Sequence, residues 1–264
     1  MEEYLSFAIG IAKYAGELMR EYFKKENGIE FKEDRTPVTY VDKTINNYLI
    51  NEVKKNYPKH SVDGEEEKYI VDSNFVWVCD PVDGTSMYTR GIPVSVFSLA
   101  LVVDGEVVVG VVYDPFLDDM YTAIKGQGAY CNGKKLQVNS LDLGDLGCSV
   151  DYSMWNNAKY DTLDLVREIR SDAKICQIGS VAHAAMAVAS GKISAEVFPG
   201  TSHGHCDIAA SKLIVEEAGG IVSNFHGEDQ RYDEDIDGAI ISNEVIHKNL
   251  VKKITDIYDK PKMM

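Results

Sequence analysis

The segment Phe75-Val-Trp-Val-Cys-Asp80-Pro-Val-Asp83-Gly-Thr85-Ser86 is the most informative part of this chain. Its first five residues are nearly all apolar, as is typical of a β-strand covered on both faces. The proline disfavours helical backbone at Asp80, and the glycine permits a backbone conformation or a close approach that a side chain would block. The final threonine and serine are good N-cap residues, so we predict a helical turn whose free N–H groups point at whatever Asp80 and Asp83 hold.

Two interpretations of this segment remain open at this point. Two carboxylates at the end of a strand, beside a ring of amide donors, suit a metal ion and a phosphate group together. Asp, Pro and Gly also form ordinary turns, so a purely structural turn is the alternative interpretation of the Asp-x-x-Asp-Gly run. The rest of the chain decides between the two.

The composition is that of a globular protein without a nucleic-acid partner. Of the 264 residues, 45% are hydrophobic and 26% are charged, and the net charge is −15. A nucleic-acid partner requires clustered Lys and Arg, which this charge argues against. The five cysteines include no Cys-x-x-Cys pair, so neither a disulfide framework nor a zinc site is indicated. We find no signal peptide and no apolar run of membrane-spanning length, and we expect a cytoplasmic protein.

The first half, residues 1–145, is predicted to contain two helices followed by a largely antiparallel sheet. Apolar residues at three- and four-residue steps predict a helix over 2–25, and Thr39 is placed to cap a second helix that ends before Pro58. Asp42 falls in the first turn of this second helix, where the helix dipole favours a negative charge. The alternative to a functional Asp42 is an exposed acid whose only role is its favourable interaction with the helix dipole.

The strands of this half follow the second helix. The acid-rich run 61–67 is predicted to be a loop, and Asp104-Gly105 is a strong hairpin signal between two apolar segments. The predicted strands cover residues 29–31, 75–79, 94–103, 106–113, 120–124 and 128–138, the last of which turns at Asn132-Gly133.

The second half, residues 146–264, alternates strands with helices, which indicates an α/β arrangement. The predicted strands cover 148–152, 173–178, 193–198, 221–224 and 238–242, and the predicted helices cover 158–170, 181–190, 207–218 and 244–258. Residues 260–264 look like a loose tail. No linker separates the halves, so we expect them to pack as one unit.

Asp207 supports the functional interpretation of the central segment. It is predicted to be the first residue of the helix 207–218. Its alternative, purely structural role is therefore to cap that helix. Together with Glu65, Asp80 and Asp83 it supplies the hard oxygen ligands that Mg²⁺ accepts. Several converging carboxylates would repel one another without a metal, whereas two or three divalent ions would balance their charge. Such ions activate water and stabilise an in-line phosphoryl displacement.

Three motifs in this order resemble those of the inositol monophosphatase family of Mg²⁺-dependent phosphatases. The motifs are Gly64-Glu65-Glu66, Asp80-Pro-Val-Asp83-Gly84-Thr85 and Asp207-Ile-Ala-Ala with the later Glu217-Ala-Gly-Gly220. Their spacing matches from about residue 5 to 255. The resemblance implies a layered α-β-α-β-α sandwich, usually a homodimer, with two or three Mg²⁺ ions per site.

The resemblance also implies a set of metal ligands. Glu65, Asp80 and the Val82 carbonyl would bind the first ion. Asp80, Asp83 and Asp207 would bind the second, so Asp80 would bridge the two. A weaker third ion would lie near Glu65 and Asp42.

Catalytic and phosphate-binding roles are implied for the residues around these ions. Thr85 and Asp42 would orient the attacking water and help to deprotonate it, with the ion near Glu65 and Asp42 activating it. Gly84, Thr85 and Ser86 would hold the phosphate through their amides.

A second segment is implied to contact the rest of the substrate. Gly179-Ser180-Val181 matches the family's Gly-Ser/Thr-Ala segment, which touches the sugar beside Asp83 and Asp207. The chain departs from the family in having Cys206 where Trp is usual before the aspartate. The loop 199–205 also lacks the family's substrate-selecting acid. Its His203-x-His205 pair is compatible with a transition-metal site, or with a polar loop that reads the substrate.

We therefore predict a Mg²⁺-dependent phosphatase that acts on inositol monophosphate, fructose 1,6-bisphosphate or both, as in the small archaeal-type members of the family. A phosphatase for 3′-phosphoadenosine 5′-phosphate is the alternative within the superfamily, although no aromatic or basic platform for a nucleotide is evident. A haloacid-dehalogenase mechanism is excluded, because Pro81 occupies the position of the nucleophile. A catalytically inactive relative is the alternative of another class.

Overall fold

A computed structural model describes residues 1–25, 28–33, 35–153 and 158–258 of the chain. The helices are α1 Glu2–Tyr22, α2 Tyr40–Asn56, α3 Thr85–Thr89, α4 Leu163–Ile169, α5 Val181–Ala189, α6 Gly204–Glu217 and α7 Glu244–Tyr258. The strands are β1 Glu30–Phe31, β2 Pro37–Val38, β3 Ser61–Gly64, β4 Lys68–Tyr69, β5 Phe75–Asp83, β6 Val96–Val103, β7 Glu106–Asp114, β8 Asp119–Ile124, β9 Ala129–Cys131, β10 Lys134–Lys135, β11 Ser149–Tyr152, β12 Lys174–Cys176, β13 Ala195–Phe198, β14 Gly220–Ser223 and β15 Ala239–Asn243. The predicted tail 260–264 lies outside the described residues.

Apart from β1 and β2, which pair with each other as a small sheet, the strands form two large sheets with helices on both sides of each. Eight strands pair in the order β10-β9-β8-β7-β6-β5-β3-β4, and five pair in the order β12-β11-β13-β15-β14. Helices α1 and α2 cover the outer face of the first sheet, α5 and α6 pack between the sheets, and α4 and α7 cover the outer face of the second. Each apolar face is thus buried against a neighbouring layer. The predicted α-β-α-β-α sandwich is confirmed.

Strand β5 lies inside the first sheet, between β3 and β6. The side chains of Trp77 and Cys79 enter the core shared with α1 and α2, whereas Val78 enters the core shared with α5 and α6. Burial on both faces explains why the segment is nearly all apolar. The prediction that the strand ends at residue 79 is wrong, because pairing with β6 resumes at Asp83 after a register shift that begins at Asp80. This bulge accommodates Pro81, which has no N–H to donate to a ladder.

Other predicted boundaries also differ from the structure, and some of the differences bear on the site. Strand β3 occupies part of the predicted loop 61–67 and pairs in parallel with β5; all four of its residues are buried. Helix α6 begins at Gly204 rather than at Asp207, so Asp207 does not cap it; the N-cap is His203, with a φ of 63°. Helix α4 begins at Leu163 rather than at residue 158, and α1 ends at Tyr22 rather than at residue 25.

The first sheet uses strands from Ser61 to Lys135, and the second uses strands from Ser149 to Asn243. A division of the chain between residues 145 and 146 stays a prediction. Across the described ranges, no helix combines the length and the apolar character that crossing a membrane requires.

Gly110 sets the distance between α6 and the first sheet. A Cβ atom at this position in β7 would lie 2.9 Å from the carbonyl oxygen of Ala210 in α6. We expect Gly110→Ala to lower the free energy of unfolding by about 1–3 kcal/mol, because backbone cannot yield as a side chain can. Urea denaturation measures this. As a matched control, Gly10→Ala faces open space in α1 and is expected to raise stability by about 0.5–1 kcal/mol. Equal stability of the two variants would contradict this account of the packing.

Candidate active site

A cleft opens where the end of β5 meets the beginning of α3 and the first turn of α6. The segment before α2 and the loop before α5 form its other walls. Its lining residues are Lys32, Thr36, Pro37, Glu65, Asp80, Val82, Asp83, Gly84, Thr85, Ser86, Gly179, Thr201, Ser202, His203 and Asp207.

Three carboxylates converge in this cleft. One oxygen each from Asp80, Asp83 and Asp207 lies within 4.8 Å of the others. Residues three apart on a regular strand point to opposite faces, so an unbroken β5 would separate Asp80 from Asp83. The bulge between them brings both side chains to the same side, opposite the first turn of α6.

The electrostatics of the cluster favour bound cations. Burial, reinforced by Glu65 and the neighbouring aspartates, raises the pKa of Asp80 well above its ordinary value. Burial and the charges of Asp83 and Glu65 do the same for Asp207. Buried carboxylates this close hold protons unless a cation compensates them. An all-oxygen set with a nearby backbone carbonyl, that of Val82, suits Mg²⁺, so these residues fit the metal that the sequence predicts.

Asp83 also ties the cleft to α5. Its Oδ2 accepts hydrogen bonds of 2.6 Å from Ser180 Oγ and from Ala182 N, and its Oδ1 accepts one of 3.3 Å from Val181 N. Burial raises the pKa of Asp83 even though these bonds oppose the rise. Of the predicted sugar-binding segment, Gly179 lines the cleft, whereas Ser180 and Val181 are buried behind it.

Gly84 is held close to this same segment. Its φ is 86°, and a Cβ atom would lie 2.9 Å from Cβ of Ser180, so a larger residue would be both strained and crowded. Gly84 is also the N-cap of α3, a position that we predicted for Thr85 or Ser86. These two residues instead begin the helix, where backbone N–H groups have no acceptor within the helix.

Glu65 lies directly after β3, and its amide continues the pairing by donating to the Cys79 carbonyl at 3.0 Å. Its side chain accepts a hydrogen bond from Lys32 Nζ at 2.8 Å, and Glu66 accepts one from the same ammonium at 2.7 Å. Burial disfavours the charged ammonium, but the two carboxylates outweigh it and raise the pKa of Lys32. We did not single out Lys32 from the sequence, where it appears as one cation in a polar loop.

Asp42 caps α2 and also contacts Thr85 at the edge of the cleft. Its carboxylate completes a capping box with Thr39, whose amide donates to Oδ2 at 2.9 Å. Thr85 Oγ1 lies 3.2 Å from the other oxygen, Oδ1, and 2.8 Å from the Val82 carbonyl oxygen. Asp42 is fully buried, so the interpretation as an exposed acid is wrong. Burial, with added repulsion from Glu65 and Glu66, raises its pKa to about 7 although the bonds from Thr39 oppose this.

The two histidines of the loop 199–205 do not form a joint metal site. His203 lines the cleft, whereas His205 is buried with its two ring nitrogens facing Asp63 and Asp235. The ring centroids are 6.4 Å apart and the two side chains have different surroundings.

Two buried acids that the sequence did not reveal lie on adjacent strands of the second sheet. Glu196 on β13 is fully buried with neither carboxylate oxygen paired, and Asp151 on β11 is its neighbour in register. Burial and the charge of Asp151 raise the pKa of Glu196 well above its ordinary value. Burial also raises the pKa of Asp151 to about 6, although a bond from Ile178 N opposes this.

The free energy of unfolding is expected to depend on pH through Glu196. A pKa raised in the folded state gives stability that is complete below the unfolded value of 4.5 and is lost as pH rises toward the folded value. Above pH 4.5, the free energy of unfolding of the wild-type protein should therefore fall, relative to that of Glu196→Gln, by up to about 1.4 kcal/mol per pH unit. Urea unfolding of both proteins in EDTA from pH 5 to 8 measures the difference, since the other acids titrate in both. Parallel curves would contradict the prediction.

The chain matches known proteins along nearly its whole length. The family model described as "Inositol monophosphatase family" matches residues 1–258. Inositol monophosphatase 1 of Sus scrofa is 35% identical over 249 residues, covering 86% of this chain and 85% of that protein. Inositol monophosphatase 2 of Solanum lycopersicum is 34% identical over 244 residues, covering 87% and 90%. The solved structure of an IMPase from Thermotoga maritima has a TM-score of 0.86 at 28% identity and covers 98% of this chain and 99% of its own. The fold, the acid cluster and these matches together show that the chain belongs to the inositol monophosphatase family, whose members are phosphatases.

Proposed function

We propose that this protein is a Mg²⁺-dependent phosphomonoesterase that hydrolyses small sugar or polyol phosphates, namely inositol monophosphate, fructose 1,6-bisphosphate or both. The observation that carries the proposal is the convergence of Asp80, Asp83 and Asp207 beside the N-terminus of α3. A cation cluster beside free helix amides is suited to a phosphate ester.

The proposed metal ligands follow from this cluster. Glu65, Asp80 and the Val82 carbonyl would hold one Mg²⁺, and Asp80, Asp83 and Asp207 would hold a second. A weaker third ion would be held near Glu65 and Asp42. When bound, such ions polarise the phosphate, lower the pKa of water and stabilise the attacking and leaving oxygens.

Thr85 and Asp42 are the proposed proton-handling pair. The Thr85 hydroxyl has one proton, which it donates to Asp42 Oδ1 or to the Val82 carbonyl, and this leaves its lone pairs free to accept from a water in the cleft. Asp42, with a pKa of about 7, can hold the released proton near neutral pH. The two residues thus orient the water and help to deprotonate it.

The remaining cleft walls support a small polar substrate. The amides of Gly84, Thr85 and Ser86 are proposed to bind phosphate, and Gly179 is proposed to contact the sugar, with Ser180 and Val181 supporting it from behind. Among the described lining residues, no Phe, Tyr or Trp offers a surface for stacking a base, and this favours a polyol over 3′-phosphoadenosine 5′-phosphate.

Phosphate release across a substrate panel tests the proposal. Purified protein would be assayed with and without Mg²⁺ on inositol monophosphate, fructose 1,6-bisphosphate, glycerol phosphate and 3′-phosphoadenosine 5′-phosphate. We expect Mg²⁺-dependent release from at least one of the first two. Release from the adenosine bisphosphate alone would overturn the substrate class, and no release from any ester would favour a catalytically inactive relative.

We further propose that the protein is a cytoplasmic homodimer, as the resemblance to the family suggests. Light scattering of the purified chain measures the mass of the assembly. A monomer at micromolar concentration would contradict the dimer.

A further inference from the structure

Asp63, His205 and Cys206 form a second group of metal-ligating side chains, distinct from the aspartate cluster. Asp63 is on β3, and the other two are in the first turn of α6. All three are buried, and one ligand atom from each lies within 4.8 Å of the others. The group therefore lies at the contact between the first sheet, which carries Asp80 and Asp83, and α6, which carries Asp207.

The distances between these atoms suit a tetrahedral ion. His205 Nε2 lies 3.2 Å from Asp63 Oδ2 and 3.7 Å from Cys206 Sγ. Zinc binds nitrogen and oxygen at about 2.0–2.1 Å and thiolate sulfur at about 2.3 Å, so tetrahedral angles separate N from O by about 3.3 Å and N from S by about 3.5 Å. His205 Nε2 thus lies within a few tenths of an ångström of the tetrahedral separation from each of the other two donors, and those two lie within 4.8 Å of each other.

Groups outside the trio orient its donor atoms. His205 Nδ1 lies 3.2 Å from Asp235 Oδ1, the arrangement in which a metal-bound histidine donates its second N–H to a carboxylate. Lys68 Nζ pairs with Asp63 Oδ1 at 2.9 Å, which leaves Oδ2 directed at His205. His205 and Asp63 are thus each oriented by a partner on the far side of the side chain.

The donor types distinguish this group from the oxygen-only cluster. Thiolate and imidazole favour zinc and related transition metals, whereas carboxylates and carbonyls suit Mg²⁺. One divalent ion would replace the thiol proton of Cys206 and any proton on His205 Nε2, so that the thiolate and the Asp63 carboxylate together balance its two charges.

We propose that Asp63, His205 and Cys206 bind one transition-metal ion of the zinc class at the contact between β3 and α6. The ion cross-links the strand that leads into Glu65 to the turn that carries Asp207. It stabilises their relative position and takes no part in phosphate hydrolysis, so the proposal stands or fails independently of the proposed activity.

Cobalt substitution of the full-length protein tests this site. Metal-stripped protein is titrated with Co²⁺ while excess Mg²⁺ occupies the oxygen-only cluster. We expect one equivalent of Co²⁺ to produce the near-ultraviolet charge-transfer absorption of a cobalt–thiolate bond, and Zn²⁺ to abolish it. Cys206→Ser should lose this absorption. Cys148→Ser is the matched control: it changes another buried thiol, directly before β11, and should retain the absorption.

A second variant separates ligation from folding. Asp235 is half-exposed, so Asp235→Asn should fold normally and yet weaken Co²⁺ binding about tenfold or more by loosening His205. Zn²⁺ should raise the melting temperature of the wild-type protein and of Cys148→Ser, but not of Cys206→Ser. Absence of the thiolate band in the wild-type protein, or its persistence in Cys206→Ser, would overturn the proposal.

Discussion

Replacing Asp80 with asparagine is expected to lower kcat for Mg²⁺-dependent phosphate release by about a thousandfold or more, equivalent to about 4 kcal/mol of transition-state stabilisation. Asp80 is proposed to bridge two ions. Its side chain is only 3% exposed, so solvent cannot compensate for the loss of its negative charge. An amide oxygen is a weaker ligand for Mg²⁺ and leaves the remaining carboxylates unable to hold two ions. Steady-state assays over a range of Mg²⁺ concentrations measure the loss.

The same substitution should raise stability when metal is absent. Without metal, folding near neutral pH must either bury the charge of Asp80 or add a proton to it, because burial beside other acids raises its pKa. Asp80→Asn avoids both costs, so in EDTA its melting temperature should exceed that of the wild-type protein. Asp104→Asn is the matched control: it makes the same chemical change in a hairpin turn with a φ of 54°, a conformation that asparagine tolerates. Full activity of Asp80→Asn, or equal loss in Asp104→Asn, would contradict the metal mechanism.

Thr85→Val is expected to lower kcat by about a hundredfold to a thousandfold, because valine keeps the shape of threonine and removes the hydroxyl that contacts Asp42 and the Val82 carbonyl. None of the proposed metal ligands is altered. The Mg²⁺ concentration for half-maximal activity should therefore change much less than kcat, and both quantities come from the same titration.

Thr85→Ser is the control that keeps the hydroxyl. It should retain most of the activity, with a modest loss from the freer rotation of serine. Isothermal titration with Mg²⁺ checks that Thr85→Val still binds metal. If both variants lose activity equally, the methyl group and not the hydroxyl is what matters, and the proposed role of Thr85 in handling the water is wrong.

Much of the fold could be predicted because its signals are local. The apolar run before Asp80 and the Asp104-Gly105 turn each specify an element from a few adjacent residues, and the structure has both. The fully buried strand β3 was not predicted, because the acidic residues that follow it resemble a solvated loop. The bulge was hidden as well, because a change of register depends on the pairing partner and not on the strand alone.

Site residues could be predicted where they belong to motifs of characteristic spacing. They could not be predicted where their role depends on side chains that are distant in the chain. Asp80, Asp83 and Asp207 belong to recognisable motifs, and the structure brings them together. His205 and Asp63 are 142 residues apart, and nothing in their local sequence indicates that they meet. Glu196 gave no signal either, since an acid within an apolar strand pattern could equally have pointed to solvent.

The position of α6 between the two sheets has a consequence for the kinetics of folding. Its first turn supplies Asp207, while Asp80 and Asp83 come from a strand far earlier in the chain. We therefore expect the proposed Mg²⁺ site to form late in folding, because it needs contacts between segments that are distant in the chain. Mg²⁺ bound as proposed would then have little to act on in the transition state for folding, and its stabilisation would appear as slower unfolding. In the cell, the ion would prolong the lifetime of the native protein without hastening its assembly.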